Sequence, residues 1–138
     1  MGITSLIQEF KLSRFTWFWV PTIGYCVLIF VLSSVSKGVY IPSPFGFDKV
    51  LHLIEYGILG FLLARSSANY KSRISSGSLI MWVVALTALY GLSDEVHQLF
   101  VPGRNASVWD VLADSLGAVL GAFFYVRFFH VGQIVGNG

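Results

Sequence analysis

The chain has 138 residues, 55% of them hydrophobic and 12% charged, with a formal net charge of +2. Average soluble domains carry roughly twice that share of charge, so the composition excludes an ordinary soluble core and fits one multi-pass membrane domain. So small a net charge gives no basis for a nucleic-acid partner, and the single cysteine, Cys26, excludes an intramolecular disulfide or a CxxC metal site.

Residues 1–14 are read as a short interfacial helix. The apolar run from Phe15 to Leu32 follows Lys11 and Arg14, as the core of a signal peptide would, but it holds Trp17, Trp19 and Pro21 and lacks a small-residue cleavage site. It is read as a retained first span. Ser33 to Gly46, with Lys37-Gly38 and the Pro42-Ser43-Pro44 cluster, is a linker. The second segment has an apolar core from Val50 to Ala64 and reaches about Asp48–Asn69 with its flanks. A polar, basic stretch, Ser66 to Ser78, overlaps its end. The third core runs from Leu79 to Leu92 and continues to about Val101, where Pro102-Gly103 signals a tight turn. The fourth segment is Val108 to Phe129. The glycine-rich tail from His130 is expected to fray.

A membrane span needs about 17–25 residues. The first and fourth segments meet this with apolar residues, the second and third only when their polar ends are included. The fold expected is all-α: a single domain over 1–138, an up-down bundle of four transmembrane helices at about 15–33, 48–69, 78–101 and 107–129. Lys11, Arg14, Arg65, Lys71, Arg73 and Arg127 lie on one side of that bundle, and Lys37, Lys49 and Arg104 on the other. The positive-inside rule then puts both termini in the cytoplasm, in the inner membrane.

The acids are unevenly placed. Glu9 alone falls on the cytoplasmic side, whereas Asp48, Glu55, Asp94, Glu95, Asp110 and Asp114, with His52 and His97, fall at outward ends. At about 100° per residue, Asp48, His52 and Glu55 share a helix face, with Tyr56 at its edge. Asp94, His97 and Gln98 share another, and Ser107, Asp110 and Asp114 a third, continued by Gly117 and Gly121. Glu95 points off its stripe. Ionisable groups at membrane depth cost about 2.5–3.5 kcal/mol each and turn inward to pair, so the stripes are expected to converge on an outward-facing polar pocket. Ala113, Gly117 and Gly121, and Gly60 and Ala64, have the small-residue spacing of close helix packing.

Carboxylate and imidazole groups one turn apart on facing helices suit a divalent metal, with Asp48, His52, Asp94 and Asp110 as candidate ligands. The alternative is a hydrogen-bonded network with Lys49 and Arg104 as counter-ions. His52 beside a carboxylate also fits a general base. Lys49 and Arg104 suit a phosphate or carboxylate, with Tyr56 and Gln98 orienting them. No Gly-x-Ser-x-Gly, His-Glu-x-x-His or phosphate-binding glycine loop is present. The functions open at this point are an enzyme acting on an envelope lipid, a non-catalytic binding or shielding module, and a proton or ion pathway. The near absence of charge in the cytoplasmic halves of the segments counts against the last.

The stretches DKVLHLIEYGILG (48–60) and SDEVHQLFVPGR (93–104), followed by Ser107, Asp110 and the Asp114–Gly121 run, resemble the VanZ-like family of bacterial membrane proteins. The resemblance spans about residues 20–126 and rests on the order DKxxHxxxY, DExxQxFxPxR, then Asp. It implies that Asp48, Lys49, His52, Tyr56, Asp94, Glu95, Gln98, Arg104 and Asp110 carry the family's function. Many members have Asn at the position of Asp114. The family is envelope-linked and named for a protein associated with teicoplanin resistance. The resulting expectation is an envelope protein whose outward polar pocket binds a lipid-linked or cell-wall precursor through Lys49, Tyr56, Gln98 and Arg104. Whether it also modifies that precursor is left open; if it does, as a metal-dependent hydrolase or transferase, His52, Asp94, Glu95 and Asp110 are the residues expected to carry the chemistry.

Overall fold

The computed structural model describes residues 3–36, 47–70 and 74–130. The Pro42-Ser43-Pro44 turn, Lys37, Lys71, Arg73 and the tail beyond His130 lie outside the described residues, as do the side chains of Glu9 and Lys11. All regular structure among the described residues is helical. The elements are α1 (Ile3–Ser33), α2 (Phe47–Tyr70), α3 (Ser76–Gln98) and α4 (Val108–Tyr125), the last continued by a π-helical turn, Val126–His130.

Residues 3–14 do not form a separate element. They continue into α1, which is 31 residues long, because neither glycine nor proline interrupts the chain between Ile3 and Pro21. Pro21 lies inside the helix, a position that membrane helices tolerate. Three helical stretches are long and apolar enough to cross a membrane: Arg14–Ser33, Ser76–Gln98 and Val108–His130. Their outer faces present large apolar side chains such as Val27, Leu89 and Leu116. Trp17, Trp82 and Trp109 are exposed, as residues of an aromatic belt are.

The second helix is different. Asp48, Lys49, His52, Glu55 and Arg65 dilute its hydropathy, and it packs against all three of the others. Its tightest neighbour is α4. A Cβ on Gly60 would lie 2.6 Å from the carbonyl oxygen of Ala118, and side chains at Gly117 or Gly121 would collide with the backbone of Leu53, Gly57 and Phe61. Small residues at this seam let the two backbones touch. The pairs Leu53–Gly117 and Gly57–Gly121 have the same offset, so α2 and α4 run parallel in a fixed register. Ser33 at the end of α1 reaches Asp94 near the end of α3, so those two helices also run parallel. The C-terminal ends of α1 and α3 therefore meet the N-terminal ends of α2 and α4.

Below that meeting point the core is apolar, built from Ile29, Leu59, Leu63, Val83, Ala122 and Tyr125. The opposite end is tied by small polar contacts. The Thr22 and Ser66 hydroxyls lie 2.8 Å apart and Ser66 Oγ donates to the carbonyl of Phe18. Asn69 Nδ2 donates to Tyr125 Oη at 3.3 Å. His130 is buried there, with Nε2 3.0 Å from the Ile74 carbonyl.

Candidate polar site at the converging helix ends

The site begins in the first turn of α2. Lys49 Nζ lies 2.9 Å from Asp48 Oδ2 and 3.0 Å from Asp110 Oδ1, bridging α2 to the first turn of α4. Two carboxylates at two helix N-termini also sit where the helix dipole is positive. The Asp48 and Lys49 side chains are 40% exposed, so this pair forms the rim.

One turn deeper, His52 is held between two aspartates of α4. Its Nδ1 is 3.0 Å from Asp114 Oδ1, and its Nε2 is 4.0 Å from Asp110 Oδ2. The ring stacks beside Tyr56 at 6.4 Å between centroids. Asp114 and Tyr56 are fully buried. Gly91 of α3 faces them: a Cβ there would lie 2.8 Å from Asp114 Oδ2 and 3.3 Å from the Tyr56 ring. The missing side chain leaves room for the carboxylate.

The acidic end of α3 divides between two neighbours. Asp94 turns toward α1, accepting from Ser33 Oγ at 2.5 Å and from Gln98 Nε2 at 2.8 Å. Glu95 turns toward α4, where Oε2 accepts the backbone N–H of Ser107 at 2.7 Å. Ser107 is the N-cap of α4 and its own side chain makes no cap bond, so Glu95 performs part of that task. His97 Nε2 lies 3.0 Å from Ser34 Oγ and its ring lies 4.6 Å from that of Phe30.

After α3 the chain turns at Gly103, whose φ of 78° favours glycine, and Arg104 N–H closes the turn on the Val101 carbonyl at 3.1 Å. The guanidinium then reaches the C-terminal end of α1, donating to the carbonyls of Leu32 at 2.6 Å and Val35 at 3.3 Å. The Leu32 carbonyl also accepts from the Val35 N–H at 3.3 Å, so the guanidinium adds a second donor there and places a cation at the negative end of the helix dipole.

The structure thus brings together Asp48, Lys49, His52, Tyr56, Glu95 and Asp110, all expected from the sequence, and adds Asp114 to them. It places Asp94, Gln98 and Arg104 one layer away, against α1. The ligand-capable atoms of His52, Glu95 and Asp114 all lie within 4.8 Å of one another. That set shares only His52 with the four ligands expected from helical spacing, since Lys49 occupies Asp48 and Asp110, and Ser33 and Gln98 occupy Asp94. Ser33 and Gly91 went unnoticed in the sequence. A hydroxyl at the end of an apolar run and a glycine inside one carry little signal by themselves.

Four polar atoms of the site and its floor are buried without a hydrogen-bond partner among the described residues: Tyr56 Oη, Glu95 Oε1, Asp114 Oδ2 and Thr87 Oγ1. Two cavities lie elsewhere. One of about 330 Å³, between α1 and α2 at the opposite end, is lined by Arg14, Phe18, Trp19, Ser66, Asn69 and Tyr70. The other, an apolar groove of about 400 Å³ on the α2–α4 seam, is lined by residues including Ile54, Ile58, Phe61 and Phe124.

A family model described as VanZ/LLP1 matches residues 3–130, nearly the whole chain. No curated protein and no solved structure gives a significant match.

Proposed function

Because the chain belongs to the VanZ/LLP1 family, we propose that it is a multi-pass protein of the bacterial inner membrane whose polar end binds the head group of a lipid-linked or cell-wall precursor in the outer leaflet. In this reading α2 is the fourth span. Arg14, Arg65 and Arg127 lie at the end opposite the polar site, and by the positive-inside rule this supports a cytoplasmic location for that end and both termini.

The observation that carries the proposal is the ionisable cluster of buried Glu95, Asp110 and Asp114 around half-buried His52, drawn from three helices at one end of an apolar bundle. Each such group costs about 2.5–3.5 kcal/mol on membrane insertion, a cost that bundle packing alone does not require. The apolar layer of Ile29, Leu59, Leu63 and Val83 beneath it favours binding from one side over conduction through the protein. Lys49 is the contact suited to a phosphate or carboxylate. Its ammonium has three N–H donors, two of which face Asp48 and Asp110, leaving one at the exposed rim.

A second reading is hydrolysis or group transfer on the same head group. It is favoured by the His52–Asp114 pair, in which a buried carboxylate faces one ring nitrogen as it does in general-base dyads. Incubating the purified protein with lipid-linked phosphates separates the two: saturable binding without release of a product supports the binding module, and release of phosphate or sugar supports the enzyme. Absence of both refutes the proposal.

A further inference from the structure

We propose that His52, Glu95 and Asp114 together bind one divalent transition-metal ion. The proposal does not depend on the lipid reading. One ligand comes from each of α2, α3 and α4, and the three ligand atoms lie within 4.8 Å of one another. Atoms bound tetrahedrally to a single ion at about 2.0–2.2 Å are roughly 3.4 Å apart, so the widest pair needs to close by up to about 1.4 Å. Rotation about the side-chain bonds of Glu95 and Asp114 covers that.

An independent observation points to a missing positive partner. Asp114 is 0% exposed and Glu95 4% exposed, and each has a carboxylate oxygen with no hydrogen-bond donor among the described residues. Among the described residues, the nearby cations are committed. Lys49 faces Asp48 and Asp110, and Arg104 faces the carbonyls of Leu32 and Val35. A dication held by two carboxylates and a neutral imidazole leaves the group with no net charge, which a single imidazolium among these acids does not.

The donor chemistry narrows the ion. One nitrogen and two carboxylates suit Zn²⁺, Mn²⁺ or Fe²⁺ better than Ca²⁺ or Mg²⁺, which favour all-oxygen shells. The imidazole is also supported for such a role. With Nδ1 turned toward Asp114 and the ion, Nε2 is 4.0 Å from Asp110 Oδ2, the nearest carboxylate to receive its proton once the two close to hydrogen-bond distance, as around metal-bound histidine. Gly91 keeps the space beside Asp114 clear. Three protein ligands leave a coordination position open, as catalytic metal sites do.

The test uses the full chain in lipid nanodiscs, stripped with chelator and titrated with Zn²⁺, Mn²⁺ and Co²⁺ while bound metal and the visible absorption of Co²⁺ are measured. About one ion per chain is expected. His52→Ala and Asp114→Asn are each expected to weaken binding by more than about tenfold, and excess Mg²⁺ is not expected to displace the ion. Asn69→Ala, at the opposite end of the bundle, is the control for general effects of substitution. Circular dichroism shows whether each variant folds, and the wild-type measurement needs no variant. A folded wild type that binds none of the three ions overturns the proposal. So does binding that is equal in wild type, His52→Ala and Asp114→Asn.

Discussion

His52 on α2 and Asp114 on α4 meet at 3.0 Å because the backbones of their helices touch. Leu53 follows His52 and packs on Gly117, and Gly57 packs on Gly121. A shift of one turn between the helices would carry the imidazole past its carboxylate. The glycine seam and the polar site are thus one device: close packing below sets the register above.

The seam is therefore expected to be sensitive to single methyl groups. Gly117→Ala forces the backbones of α2 and α4 apart and should destabilise the bundle by about 1–3 kcal/mol, the usual range for overpacking. Gly24→Ala, whose added methyl meets nothing within 4 Å, should be neutral or slightly stabilising. Unfolding in mixed micelles checks both, and equal behaviour of the two variants contradicts the packing argument.

Glu95 holds the start of α4 by accepting the Ser107 N–H. Glu95→Ala should expose that amide to exchange and cost about 1.5–3 kcal/mol, the range for a hydrogen bond to a charged group. Glu95→Gln keeps an acceptor and should retain much of the protection. Hydrogen exchange at the start of α4 distinguishes the two. Unchanged exchange in Glu95→Ala would remove the capping role.

Arg104 closes the end of α1 through the carbonyls of Leu32 and Val35. Arg104→Ala should lower stability by about 1 kcal/mol, and Arg104→Lys should recover only part of it, because lysine lacks the planar fork that serves two carbonyls. If Arg104→Ala instead abolishes ligand binding at full stability, the residue acts on the ligand.

The orientation rests on the distribution of basic residues. A cysteine introduced at Ser43, with Cys26 replaced by serine, should react with a membrane-impermeant maleimide added to intact cells, since the α1–α2 connection is expected outside. Labelling only after lysis would invert the topology and place the polar site in the cytoplasm.

The helices and the convergence of their polar ends were legible in the sequence, because apolar runs, turn signals and a 100° periodicity report on side chains. Glu95 was named as a site residue on the resemblance, but its contact was not legible, since its partner is the backbone N–H of Ser107, which periodicity does not see. Arg104 looked like an anion ligand for a similar reason: a cation at the end of a loop reads the same whether it meets a phosphate or helix carbonyls. Asp94 lies on the stripe that contains His97 and Gln98, yet it turns to Ser33 of α1. Choosing among its neighbours required the register of α1 against α3. Asp114 fell on its expected face, and its pairing with His52 depended on the α2–α4 offset that Gly57, Gly117 and Gly121 fix.

The most direct measurement of the central claim is the affinity of a lipid-linked phosphate precursor for the protein in nanodiscs, followed by native mass spectrometry. Lys49→Ala and wild type are compared, with Arg65→Ala at the opposite end as control. Saturable binding that falls at least about tenfold in Lys49→Ala and persists in Arg65→Ala is the expected result. Binding that is absent from the wild type, or unaffected by Lys49→Ala, would contradict a head-group site at the converging helix ends.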